Sequence, residues 1–461
     1  MTEPTKSVLI IAYAFPPTGG AGVQRMSKLT KYIAENGFRP RVLTVSNPSV
    51  PLIDKSLLAD LPSGMEITRA RTFEPGYRLK GEVWAAESSA GPTADHRLLG
   101  RLRRSAVRAL GSVARQVAIP DIQVLWLPAA ARALGSLLSG SDVPDVVMIS
   151  GPPFSAMLLA ALATRRTAIV LDYRDEWQMV RQQFEMIGGA PLRRFGDRME
   201  AFVLRRADVV ICATKPYCST LTDRFAFLDP ARVVEVTNGF DPADFDFPRP
   251  PLPTDRFVVT HAGTLYRLTN PTAFLHALAL VAERRPDLAR WVDVRFIGRV
   301  VESEQAEVDA AAVHGVSRVP YLAHGELLGV LAASHLTLCL VTDVAGSERI
   351  YPAKIFELMA VGRPVLTISP VGVLSELVVN HRLGPWFAPD DIEGIAGDLV
   401  QRLEQFVSAR AHGRVIEDSQ QAVGIERYDR RATSALFAAA FRLAIGHHRR
   451  PDLGPPGGAL G

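Results

Sequence analysis

Short apolar runs rich in β-branched residues alternate with longer stretches of helical period along almost the whole chain, and that alternation leaves few folds open. The runs 8–12, 41–45, 146–150, 169–172, 209–213 and 233–237 form a first series. A second series follows at 258–262, 294–297, 319–321, 336–341 and 364–368. Strands that are apolar throughout and separated by helices belong in a parallel sheet buried on both faces, so each series reads as a doubly wound α/β unit. Prolines crowd at 242, 248, 250, 251 and 253, which places a linker near 238–255. The expected organisation is a first domain over 1–245, a second over 256–425, a helix over 426–448 returning to the first domain, and a disordered tail over 449–461. At 461 residues the chain is long enough for two such cores.

Composition removes several classes of function. Apolar residues make up 48% of the chain and charged residues 22%, the balance of a globular protein and not of a disordered or disulfide-rich one. The net charge of +4 is too small to make nucleic acid an expected partner. Cys212, Cys218 and Cys339 fit neither a zinc spacing nor a paired disulfide set, which points to a reducing compartment. No membrane span is expected, because the longest charge-free stretch, 146–164, carries Gly151, Pro152 and Pro153 near its centre, as a strand, turn and helix would. The apolar run 7–15 is followed by Pro16 and Pro17 in place of a cleavage signal and reads as a buried first strand.

Three stretches carry chemistry. The loop after the first run reads YAFPPTGGAGVQR over 13–25, and Gly19, Gly20 and Gly22 would let backbone amides approach a phosphate at the following helix N-terminus. Arg25 stands where a dinucleotide fingerprint needs a small residue, and no acid ends the second run, so a nicotinamide or flavin is not expected. A tight turn without a ligand is the other reading of this loop. In DYRDEW, 172–177, Arg174 and Asp175 fall at the carboxyl end of a strand, where they would orient or polarise a substrate group or else form an ion pair capping the next helix. In YPAKIFELMAVGRPV, 351–365, Pro352 suits a helix start and Gly362 its end. Lys354 and Glu357 then share a face: the carboxylate can accept two ribose hydroxyls while the lysine and the helix N-terminus meet a diphosphate. A surface ion pair is the alternative.

Taken together with TNGFDPADF at 237–245 and GTLYRLTNP at 263–271, these motifs resemble glycosyltransferase family 4 in their order across the chain. The resemblance implies the GT-B fold, two facing Rossmann-like domains with a cleft between them, the first binding the acceptor and the second the nucleotide-sugar. It implies transfer with retention from a UDP- or GDP-linked donor to a glycan or lipid-linked acceptor, in cell-surface polysaccharide or glycolipid synthesis, with no cofactor and no essential metal. By the same resemblance Glu357 matches the carboxylate that holds the ribose, and Gly19, Gly20 and Gly22 match the loop that reaches the donor phosphates. Arg174 and Asp175 fall where many relatives carry a His-Asp pair near the transferred sugar, and Arg267 and Lys354 are the candidates for the diphosphate contacts. The common pattern has a second glutamate eight positions before Glu357. Arg349 stands there in this chain, with Glu348 beside it as a substitute through a one-residue shift.

Two other functions fit the same features: an epimerase acting on one bound nucleotide-sugar, and a catalytically silent partner that binds a nucleotide-sugar. One segment bears on location. Between 97 and 115 there are six arginines and no acid; Arg97, Arg101, Arg104, Arg108 and Arg115 follow helical spacing opposite a stripe of Leu, Val and Ala. Such a stripe suits an anionic membrane surface, or else a helix packed on its own domain with a solvated basic face. The expected location is cytoplasmic, with peripheral contact to the inner face of the cell membrane.

Overall fold

The computed structural model describes residues 5–50, 52–76, 120–162, 167–179, 190–416 and 422–448. They fall into two compact units, one formed by the chain up to Val236 and again from Ser434, the other by Thr237–Thr433. The arginine stripe at 97–115 and the tail at 449–461 lie outside the described residues.

The first unit contains β1 (Lys6–Ala12), β2 (Phe38–Val45), β3 (Glu66–Ala70), β4 (Val146–Gly151), β5 (Ala168–Tyr173), β6 (Val209–Cys212) and β7 (Val233–Glu235). They form one sheet in the order β3-β2-β1-β4-β5-β6-β7, and every neighbouring pair is parallel. Because strand side chains alternate, a strand apolar at every position must be covered on both faces. Leu9, Ile11, Val147, Ile149 and Leu171 pack on one face with Ala130 and Leu134 of the helix Leu127–Ser139. Val8, Ile10, Val146, Met148 and Val170 pack on the other, with Met26 and Leu29 of the helix Ala21–Tyr32 and with Phe437, Phe441 and Ala444 of the helix Arg430–His448. Each fully buried side chain of this kind stabilises the fold by about 1.5–3 kcal/mol. Among the described residues one helical stretch, Ile122–Ser139, is long and apolar enough to cross a membrane; its Trp126, Ala130, Leu134 and Leu138 lie in this core.

The second unit contains β8 (Phe257–Ala262), β9 (Val292–Ile297), β10 (Val316–Val319), β11 (Leu336–Leu340), β12 (Val365–Ile368) and β13 (Trp386–Phe387). The order is β10-β9-β8-β11-β12-β13, again parallel throughout. Val259, Val294, Leu338 and Leu366 form its core with Phe274 and Leu278 of the helix Thr272–Arg284 and Leu399 and Leu403 of the helix Ile392–Ala411. Strand order reverses between β1 and β4 in the first sheet and between β8 and β11 in the second. Ligands of open α/β sheets bind outside the carboxyl ends of the strands at such reversals.

Three features differ from the sequence reading. Residues 237–245, assigned there to the first domain, belong to the second unit, where the Phe240 amide donates to the Tyr428 carbonyl at 3.0 Å and the Arg430 amide to the Phe240 carbonyl at 2.9 Å. β3 and β13 were not expected: β3 is a half-exposed edge strand with no apolar alternation, and β13 has two residues. β10 begins at Val316, ahead of the run at 319–321, because Ser317 and Arg318 point to solvent and hide the pattern.

Candidate functional site

After β1 the chain is tied down by 52–54: the Gly19 amide donates to the Leu52 carbonyl at 3.1 Å and the Asp54 amide to the Pro17 carbonyl at 2.7 Å. Gly20 then caps the helix Ala21–Tyr32 with φ +103°, a backbone region that side chains other than glycine's strongly disfavour. The first turn of this helix carries no acid to offset its leftover amides.

Arg25, one turn further, points inward. Its guanidinium meets the Asp172 carboxylate at 2.7 Å with both side chains buried, donates to the Val236 carbonyl at 2.8 Å, and lies over the Phe437 ring. Ser150 donates to the other Asp172 oxygen at 2.8 Å. Each buried charge here therefore has its partners, the condition for burying an ion pair without heavy loss.

Arg174 is likewise engaged. Its side chain donates to the backbone carbonyls of Gly151, Gly22 and Pro152, and a Cβ at Gly22 would lie 2.9 Å from its Nη1. Arg174 thus fastens the glycine loop to the end of β4. Asp175 stands exposed to solvent.

The second unit is built differently. The loop after β8 is held to the neighbouring strand ends: the Gly263 amide donates to the Ile297 carbonyl at 2.9 Å, and the Thr342 amide to the Leu268 carbonyl at 2.8 Å. Arg267 starts the turn Arg267–Thr269 and is exposed; among the described residues it has no ion pair or side-chain hydrogen bond. The helix Lys354–Val361 is anchored by Ile355, Phe356, Leu358 and Met359, with Phe356 edge-on to Tyr351, and it stops at Gly362 in the left-handed conformation. Anchoring that face leaves Lys354 and Glu357 on the other, as their spacing requires.

Lys354 reaches back to β8, where its Nζ lies 3.1 Å from His261 Nε2. Burial lowers the Lys354 ammonium to about 8, partly offset by Cys339. Gly263 is needed beside it: φ is +132°, and a Cβ would lie 2.9 Å from Nζ. No carboxylate pairs with Lys354 among the described residues. Glu357 Oε1 accepts from His324 Nε2 at 3.0 Å, at the start of the helix His324–Ala332. Glu348 is exposed and pairs with the neighbouring Arg349, in the turn Ser347–Arg349.

The structure thus groups Gly19, Gly20, Gly22, Arg174 and Asp175 at the first reversal. At the second it groups Arg267, Lys354 and Glu357, with Glu348 in the turn that precedes the helix Lys354–Val361. It adds two residues that sequence reasoning passed over, His261 and His324. Their one sequence signal was position: His261 one residue from the end of an apolar run, and His324 just before a helical pattern.

Comparison with known proteins gives this arrangement its class. Residues 19–239 match the family model described as a glycosyl transferase 4-like domain, and residues 256–405 match glycosyl transferases group 1. These matches span most of the chain, which belongs to glycosyltransferase family 4 and has the GT-B fold. The fold is shared with sucrose-phosphate synthase from Thermosynechococcus elongatus, at 14% identity and TM-score 0.57, over 95% of this chain and 98% of that one. It is shared with the N-terminal domain of Candida albicans trehalose-6-phosphate phosphatase, at 11% identity and TM-score 0.62, over 96% and 98%. A third similar structure is the UDP-forming α,α-trehalose-phosphate synthase from Burkholderia xenovorans in complex with glucose-6-phosphate, at 12% identity and TM-score 0.58, over 95% and 100%. No curated protein sequence matches this chain.

Proposed function

We propose that this glycosyltransferase moves a sugar with retention from a UDP- or GDP-linked donor to a glycan or lipid-linked acceptor, in cell-surface polysaccharide or glycolipid synthesis on the cytoplasmic side. The observation that carries the reading is Lys354. A half-buried ammonium with no counter-ion among the described residues, at a helix N-terminus and at the carboxyl end of β8, is a site in want of an anion. Arg267 adds a second cation from the loop after β8, and Glu357 supplies the acceptor for ribose hydroxyls three residues along the helix. A nucleoside diphosphate matches that set: two phosphates for the cations and the dipole, a ribose for the carboxylate.

As the glycosidic bond breaks, negative charge grows on the leaving diphosphate, so cations fixed beforehand stabilise the transition state more than the ground state. This chemistry asks for no metal. In the first unit the helix N-terminus at Gly20 would add its dipole, and Asp175 would orient the sugar or acceptor without bonding to it. Retention then proceeds with departure and attack on one face, the diphosphate taking the acceptor's proton. Arg97–Arg115 would hold the enzyme at an anionic membrane surface, near a lipid-linked acceptor.

Thermal-shift screening against UDP- and GDP-sugars tests the donor reading, because a ligand that binds only the folded state raises its stability. One nucleotide class should raise the midpoint, and Arg267→Ala should then lower kcat more than it raises KM. No shift with any nucleotide-sugar would remove the proposal. Isomerised sugar from the donor alone would favour the epimerase instead.

A further inference from the structure

The geometry points to His261 as a positioning residue that aims the Lys354 ammonium at the donor diphosphate; this rests on the donor reading above. His261 is fully buried near the end of β8. Its Nδ1 lies 3.1 Å from the Leu338 carbonyl of the adjacent β11. A carbonyl can only accept, so Nδ1 carries the ring proton and Nε2 presents a lone pair. That lone pair faces Lys354 Nζ at 3.1 Å. The chain of donation is fixed in direction, from Lys354 through His261 to β11.

The fixed direction has two consequences. One of the three ammonium hydrogens is taken by His261, and the other two have no acceptor among the described residues. Gly263 lets the ammonium sit there, since a Cβ at that position would lie 2.9 Å from Nζ. The imidazole also stays neutral, because burial and the adjacent ammonium both push its pKa well below the usual histidine value. Nε2 therefore stays an acceptor for Lys354. Among the described residues, the groups that act on Lys354 are His261 from β8 and Cys339 from β11. A flexible lysine held by one neutral acceptor keeps its charge and gives up rotamer freedom, the kind of preorganisation that transition-state stabilisation needs.

The test compares nucleotides differing only in the β-phosphate. Calorimetric titration with UDP and UMP, and with GDP and GMP, is run on wild type, His261→Phe, His261→Gln and Lys354→Met. His261→Phe should weaken diphosphate binding about tenfold, the worth of one hydrogen bond to a charged group, and leave the monophosphate unchanged. His261→Gln keeps a carbonyl oxygen to accept from Lys354 and should restore most of the loss. In the Lys354→Met background, His261→Phe should cost nothing more, since coupled residues are not additive. Equal losses for both nucleotides, or no loss for either, would overturn the positioning role while leaving the donor reading intact. Binding of none of the four by wild type would sink the donor reading and this inference with it. A measurement on the unmodified enzyme guards against a variant that fails to fold. Nitrogen NMR of labelled histidine should show His261 protonated at Nδ1 alone, with the Nε2 shift moving as Lys354 titrates; a proton on Nε2 overturns the inference.

Discussion

The two sheet reversals share a topology and use charge in opposite ways. In the first unit, Arg25 is matched by buried Asp172, and Arg174 by three backbone carbonyls. In the second, Lys354 and Arg267 have no carboxylate against them among the described residues. Internally matched charge builds a loop, whereas unmatched charge costs folding free energy and is retained where a ligand supplies the partner. On the proposed reading, the first reversal is a scaffold around a helix N-terminus and the second binds an anion.

The largest effect should come from breaking the matched side. Arg25→Met leaves Asp172 buried without its cation, and unfolding by denaturant should show a loss of about 3–5 kcal/mol. Adding Asp172→Leu should recover much of it; a simple sum of the two losses would mean the pair is not the unit it is described as. Next comes the ribose contact. Glu357→Gln removes a charged acceptor, and nucleotide affinity should fall by about 1.5–3 kcal/mol in calorimetry, with thermal stability nearly unchanged. Unaltered affinity would make the Glu357–His324 contact a surface pair. The smallest effect belongs to Arg174. Arg174→Gln should destabilise the fold by roughly 1–2 kcal/mol by depriving three carbonyls of their donor. If activity were abolished at full stability instead, Arg174 would belong to the chemistry and the comparison would need redrawing.

The strands that carry the fold were legible because both faces are buried: β1, β4, β5, β8 and β11 all coincide with runs found in the sequence. β3 and β13 were not, since an exposed edge has no period to read and two residues make no pattern. The helix Lys354–Val361 was legible from Pro352 and Gly362, and the shared face of Lys354 and Glu357 from a spacing of three. The partners of that pair were not. His261 lies 93 positions from Lys354, and His324 lies 33 from Glu357. A lone histidine at the end of an apolar strand reads equally well as core. Arg174 shows the converse limit: its type and place suggested a substrate contact, and only coordinates show three of its five N–H groups donating to Gly22, Gly151 and Pro152.

Lys354 provides the most direct measurement, because its two roles respond to pH with opposite sign. Its ammonium is lowered from 10.5 to about 8 in the folded protein. Between those values the unfolded chain binds the proton and the folded protein does not, so this group adds stability as pH rises through that window. Anion binding needs the proton and should weaken over the same range. Calorimetric titration with UDP or GDP from about pH 6.5 to about 9.5, alongside thermal unfolding at each pH, reads both. The expected result is affinity that falls once pH passes about 8, with Lys354→Met weak and without that fall at every pH. Diphosphate affinity that stays level across the window in wild type, or an equal decline in the methionine variant, would contradict the assignment of the second reversal as the donor site.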